Sequence, residues 1–134
     1  MSVAIDWLAL RNAALAARLH AHAPYSHFQV GAALLGTDGR LWSGCNVENA
    51  SYGLTVCAER NALFAAVAAG CKSFRALAVI TSSSDPVTPC GACRQVLVEF
   101  PPSFEVRCYG TNGSELHETT AGLLPHAFSK QSLG

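Results

Sequence analysis

Ala76-Leu77-Ala78-Val79-Ile80 is an unbroken apolar run of five residues. A strand with one wet face alternates apolar and polar residues. A short run without alternation suits a strand covered on both faces. Its surroundings support that reading. Upstream, residues 57–69 are rich in alanine, carry Leu63, Phe64 and Val67, and stop at Gly70, which predicts a buried helix. Downstream, Thr81-Ser82-Ser83-Ser84-Asp85-Pro86 reads as a loop. Pro89 then opens a helix over about residues 90–100, ended by Pro101-Pro102.

Further out, residues 28–35 are strand-like, Gly36-Thr37-Asp38-Gly39 is a turn, and residues 40–47 return as a second strand. Residues 3–20 place Ile5, Leu8, Leu15 and Leu19 at helical spacings, with Asp6 near the start and His20 near the end; Pro24 closes that helix. Residues 105–109 read as a strand, 111–114 as a turn, 116–119 as a weak last strand and 123–128 as a short terminal segment. The order is helix, hairpin, helix, strand, helix, strand, strand. Such alternation predicts an α/β fold: a mixed sheet with helices on both faces. A chain of 134 residues suits one domain, 1–134.

Half of the residues are hydrophobic and only 13% are charged, against a usual charged share of about 25%. So few charges cover a surface poorly, which points to burial of part of it against further copies of the chain. Formal net charge is zero. That gives no field to attract phosphates, so a small neutral ligand is expected rather than nucleic acid. No stretch of 18 apolar residues proposes a membrane span. Met1 to Asp6 bears an acid where a secretory signal carries positive charge, so the expected location is the cytoplasm. In a reducing compartment six cysteines are metal ligands, reactive groups or packing residues before they are disulfides.

Three of them fall into a pattern. Cys57-Ala58-Glu59 is followed, 32 residues later, by Pro89-Cys90-Gly91-Ala92-Cys93. Cys90 and Cys93 share a face at a helix start, and Cys57 also falls at a helix start. Free N–H groups there stabilise thiolates. Three thiolates can hold one Zn²⁺ and leave its fourth position to water. A dithiol redox pair and a structural zinc site are the competing readings. The first lacks a thioredoxin-like pattern, and the second lacks a fourth ligand with paired spacing. Cys45, Cys71 and Cys108 are assigned to packing. Glu59, two positions from Cys57, can lie beside the metal without binding it, and can carry a proton from an activated water to a substrate nitrogen. Three thiolates and Zn²⁺ sum to minus one. Arg60 or Arg94, each one residue past a candidate group, can offset that charge, and Arg60 is preferred.

The signature of a Cys or His, a nearby Glu and Pro-Cys-x-x-Cys is that of zinc deaminases. The chain resembles the small cytidine deaminases of pyrimidine salvage, the homotetrameric class with three cysteine ligands. The resemblance runs from about residue 24 to 128. Besides the two motifs above, it rests on Pro24-Tyr25-Ser26-His27-Phe28-Gln29-Val30-Gly31, on Gly44-Cys45-Asn46-Val47-Glu48-Asn49 through Tyr52-Gly53, and on Leu123-Leu124-Pro125 with Phe128. It implies a three-layer α/β/α sandwich with a five-stranded mixed sheet. It implies deamination of cytidine and deoxycytidine to the uracil nucleosides, with one zinc per subunit held by Cys57, Cys90 and Cys93 and with Glu59 moving protons. Asn46 and Glu48 are implied on the ribose hydroxyls, Phe28 against the nucleoside, and the backbone of Ala58 on the base edge. Tyr52 and Phe128 are implied at a subunit contact, so that homotetramer active sites would be shared between chains. A deaminase of an aminocytosine antibiotic and a non-catalytic zinc module are the rival functions.

Overall fold

The computed structural model describes residues 3–134; Met1 and Ser2, the start of the stretch read for a targeting signal, lie outside the described residues. Five strands form one mixed sheet in the order β2-β1-β3-β4-β5: β1 (Val30–Gly36), β2 (Leu41–Cys45), β3 (Phe74–Thr81), β4 (Glu105–Tyr109) and β5 (Glu115–Thr119). The run Ala76–Ile80 lies in β3, at the sheet's centre, where Ala76 through Thr81 are buried. β3 pairs antiparallel with β1 and parallel with β4; the outer pairs, β1–β2 and β4–β5, are antiparallel. The helices are α1 (Trp7–Arg18), α2 (Ala58–Ala68), α3 (Gly91–Val98) and the single turn α4 (Thr120–Leu123). The expected order of elements is observed, with α4 and two 3-10 turns, at Tyr52–Leu54 and Lys130–Leu133, added.

The alternation of β3 divides its residues between two cores. Ala76, Ala78 and Ile80 pack with Leu10 and Ala14 of α1, Ala33 and Tyr109. Leu77 and Val79 pack on the other side with Ala58, Ala62, Leu63 and Ala66 of α2, Leu97 of α3, and Val106 and Cys108. Among the described residues no helix is long and apolar enough to cross a membrane.

Each long helix lies over a glycine of the hairpin. A Cβ on Gly31 would stand 1.9 Å from the carbonyl oxygen of Ala14, and one on Gly44 would stand 2.7 Å from that of Ala58. Backbone meets backbone at both places, so only a residue without a side chain fits.

The packed face of α1 differs from the expected one. Leu8 and Leu19 are 64% and 71% exposed, while Leu10 and Ala14 are buried and Ile5 and Leu15 are partly so. The reason is the close approach at Gly31: it seats the Ala14 side of the helix on the alanine-lined sheet, which brings Leu10 inward and turns Leu8 and Leu19 outward. The helix starts at Asp6, whose carboxylate accepts from the amide of Ala9 at 3.1 Å, and ends before His20.

Candidate metal centre and cavity

Cys57 is the N-cap of α2, and Cys90 is the N-cap of α3. Ser, Thr, Asp and Asn favour this position because their oxygens bond the free amides of the first turn. Neither cysteine makes such a bond, so both sulfurs are left for another partner. Cys93, one turn into α3, is fully buried. The three sulfurs lie within 4.8 Å of one another, with Cys57 Sγ and Cys90 Sγ 3.7 Å apart. Tetrahedral Zn–S bonds of about 2.3 Å put sulfurs about 3.8 Å apart. The group is therefore suited to hold a zinc ion. Cys45, Cys71 and Cys108 are free thiols outside it. Burial pushes the Cys108 thiol up to about 12, as befits a packing cysteine.

Charge at the cluster follows from its neighbours. A hydrogen bond from Cys93 holds the Cys57 thiol down, to about 5, against the opposing effect of burial, and Arg60 and Cys90 add to the lowering. Metal ligands bind deprotonated, so a cation among the sulfurs would displace any proton they hold. Arg60 donates through Nη2 to Cys57 Sγ at 3.5 Å, and its Nε is buried without a hydrogen-bond partner. Arg94 points elsewhere: Nε donates to the carbonyl of Pro89, Nη1 to that of Leu123, and Nη2 to Thr88 Oγ1. Of the two arginines left open by the sequence, Arg60 is the one on a thiolate.

Glu59 is buried at the second position of α2 and forms no ion pair among the described residues. Burial is the main cause that raises its carboxyl to about 7; the nearby Cys57 adds to the rise, while its own amide and Arg60 oppose it.

A cavity of about 250 Å³ opens onto these groups. Cys57, Cys90 and Glu59 line one end. Phe28, Val30, Asn46 and Glu48 come from the entry to β1 and the end of β2, and Val79 and Thr81 from β3. Ser26, Thr55, Val87 and Thr88 complete the wall. These four, and Val30, Val79 and Thr81 with them, were missed as site residues. Ser26 sits inside the quoted stretch 24–31, but 82–88 offered no usable pattern. Asn46 accepts from the amide of Val30 at 2.9 Å and donates to the carbonyl of Phe28 at 2.7 Å, so it holds the strand that presents Phe28. One of its amide hydrogens stays available. Glu48 accepts from the amides of Tyr25 and Ser26 and from the Ser26 hydroxyl, and that hydroxyl holds its carboxyl below the usual range.

Cys93 and Arg60 lie behind the cavity lining, and three of the expected substrate contacts do not line it either. Ala58, the first residue of α2, is fully buried in the core against the sheet. Tyr52 is 73% exposed and lines an adjoining hollow with Tyr25, Ser26, Glu48 and Thr55. Phe128 is 61% exposed, and its carbonyl accepts from Gln95 Nε2 at 2.8 Å.

Residues 6–107 match the family model described as the cytidine and deoxycytidylate deaminase zinc-binding region. The chain belongs to that deaminase family. The matched stretch holds the whole cysteine cluster and Glu59, while β5, α4 and Phe128 lie beyond it. Cytidine deaminase from Sporosarcina psychrophila is 52% identical over 118 residues, 87% of each chain. A probable cytidine deaminase from Dictyostelium discoideum is 50% identical over 91% of this chain and 83% of its own. Among solved deaminase structures, that from Burkholderia pseudomallei superposes with a TM-score of 0.89 at 51% identity, covering 92% of this chain and all of the other. That from Mycobacterium tuberculosis gives 0.80 at 42% identity, covering 93% of this chain and 98% of its own. The three-layer architecture expected from the resemblance is thus the fold observed.

Proposed function

We propose that the chain catalyses the hydrolytic deamination of cytidine and deoxycytidine to uridine and deoxyuridine, releasing ammonia, as a step of pyrimidine salvage. The observation that carries this reading is Glu59: a buried carboxylate in the same cavity as Cys57 and Cys90, with no cation paired to it. Zinc held by Cys57, Cys90 and Cys93 would supply a Lewis acid and an activated water. Every other part of the reaction falls to the chain's own groups. Glu59 takes one proton of the attacking water at its carboxylate and gives it to N3 of the base. It then takes the proton of the hydroxyl now on C4 and passes it to the amino nitrogen, so that the C4–N bond breaks as the C4 carbonyl forms and ammonia leaves. Arg60 offsets the thiolate charge that would blunt the metal.

Phe28 packs the nucleoside, and Asn46 and Glu48 take the sugar hydroxyls through the spare amide hydrogen and the carboxylate. The backbone of Ala58 meets the base edge. The cavity's few polar groups and apolar walls suit a neutral nucleoside.

The active unit is proposed to be a homotetramer in the cytoplasm, each chain acting as one domain with one zinc. Tyr52 and Phe128 then serve a neighbouring subunit's site. Support comes from their exposure within one chain, and from an apolar hollow at the α2–α3 face lined by Leu63, Phe64, Val67, Val96 and Phe100. The test is Glu59→Gln, purified with its metal content measured, followed by the absorbance change of cytidine. Zinc is expected to remain at one per chain and turnover to fall about 10²- to 10⁴-fold. Near-wild-type turnover with zinc retained defeats the assigned role of Glu59.

A further inference from the structure

Residues 86–90 form no regular structure, yet they end in Cys90 and contribute Val87, Thr88 and Cys90 to the cavity. Pro86 and Pro89 have no amide hydrogen to give. Among the described residues, 86–89 make no backbone–backbone hydrogen bond. A segment so poorly tied should wander, and with it one sulfur of the cluster. Two hydrogen bonds oppose this, and both come from one guanidinium. Arg94 Nε donates to the Pro89 carbonyl at 2.7 Å, and Nη2 donates to Thr88 Oγ1 at 2.6 Å. The third contact, Nη1 to the Leu123 carbonyl at 2.9 Å, reaches the end of α4. Gln95, the next residue, holds the Phe128 carbonyl at 2.8 Å.

We propose that Arg94 is a positioning residue of the thiolate site. Its guanidinium fixes the segment that carries Cys90 and one cavity wall, and it joins that segment to the C-terminal strap running from Leu123 to Phe128. The planar fork matters more than the charge. Three acceptors on two segments are met by three separate nitrogens, and a lysine ammonium has only one nitrogen to place among them. Among the described residues Arg94 makes no hydrogen bond to a sulfur and does not line the cavity, so it acts through residues 88–90, whereas Arg60 acts on Cys57 itself.

This inference rests on the proposed zinc reading, and its test separates the two. The whole chain is loaded with Co²⁺, whose visible d–d bands report the geometry of the thiolate set, and metal release to a chelator is timed. Arg94→Lys is expected to shift the bands and to speed release about 10-fold or more, the usual effect of removing a group that supports metal ligands. Thr88→Val removes one acceptor only and is expected to move both readouts the same way by less. Leu10→Val, a truncation in the core on the other side of the sheet, is expected to lower stability and leave the bands alone. Wild-type bands in both Arg94→Lys and Thr88→Val, with release within about twofold, overturn the proposal. An equal band shift in Leu10→Val overturns it too, because general loosening then suffices. If Arg94→Lys does not fold, Thr88→Val decides by itself. A wild-type chain that takes up no cobalt overturns the zinc reading along with this one; wild-type uptake with unchanged variants overturns this one alone.

Discussion

The two faces of the sheet are built alike and used differently. On each, a helix rests on a glycine of the same hairpin: α1 on Gly31 and α2 on Gly44. Each face is lined by alternate residues of the same strands. The α1 face is an apolar core fringed by arginines: Arg18 donates to the carbonyl of Thr81, Arg11 lies over the Tyr109 ring, and Arg107 lies over that of Trp7. At the end of the other face, the N-termini of α2 and α3 converge and bring Cys57, Glu59, Arg60, Cys90 and Cys93 together. A polar cluster can be buried there because helix starts offer unpaired amides and positive potential to thiolates. The one helix start on the α1 face, at Trp7, is capped by the Asp6 carboxylate and has no cysteine beside it. One side thus supplies stability and the other chemistry, and mutations can separate the two.

The largest separation is expected from Cys93→Ala. Two sulfurs do not make a closed zinc site, so metal content should fall far below one per chain and cytidine turnover to background. Atomic absorption with a turnover assay checks this. A variant that keeps zinc and activity would show that the cluster is not the metal site. Next is Leu10→Ala on the α1 face. A buried leucine cut to alanine costs about 2–5 kcal/mol, read as a lower midpoint in denaturant. The folded fraction should keep its turnover number, and a selective loss of turnover would break the division of labour between the faces.

These two variants also mark what could be read from the sequence. The cysteine cluster and Glu59 were legible because ligand spacing and helix starts are local features. The strands were legible because β3 has a continuous apolar run and turn residues bracket the hairpin. The seat of α1 was not. Leu8 and Leu19 looked like core residues, but the helix packs by its Leu10–Ala14 side, and the partners that select that side, Gly31, Ala33, Ala76 and Ala78, come from two strands distant in sequence. Residues 82–88 were silent for a similar reason. Val87 and Thr88 become cavity wall only because Arg94 pulls the segment into place from beyond the ligands. Tyr52 and Phe128 rest on the resemblance alone, since a single chain leaves both outside its own cavity.

Arg60→Gln probes the chemical face more gently. It removes the cation 3.5 Å from Cys57 Sγ and keeps the helix. The thiolates then carry uncompensated charge, and turnover or metal affinity should fall about 10- to 100-fold, or about 1.4–2.7 kcal/mol. Steady-state kinetics at saturating zinc distinguish the two: a turnover loss that survives saturation belongs to the reacting metal, and one that zinc repairs belongs to binding.

The smallest expected effect lies at the outer end of the stabilising face. Asp6 caps α1 by accepting from the amide of Ala9, and it is exposed, about as far from the cavity in role as a residue of this fold can be. Asp6→Ala leaves that amide unpaired and removes a negative charge from the helix start. Caps of this kind contribute about 0.5–2 kcal/mol. The expectation is a midpoint shift of a few degrees in thermal unfolding, with the Michaelis parameters for cytidine unchanged. The result bears on Gly31 as well. If α1 frayed from its capped end, its contact with the sheet would still be set near Ala14, so the site across the sheet should feel nothing. A change in cytidine turnover from this one cap would mean that α1 holds β1 in register for Phe28 and Asn46, and that the two faces are coupled through Gly31.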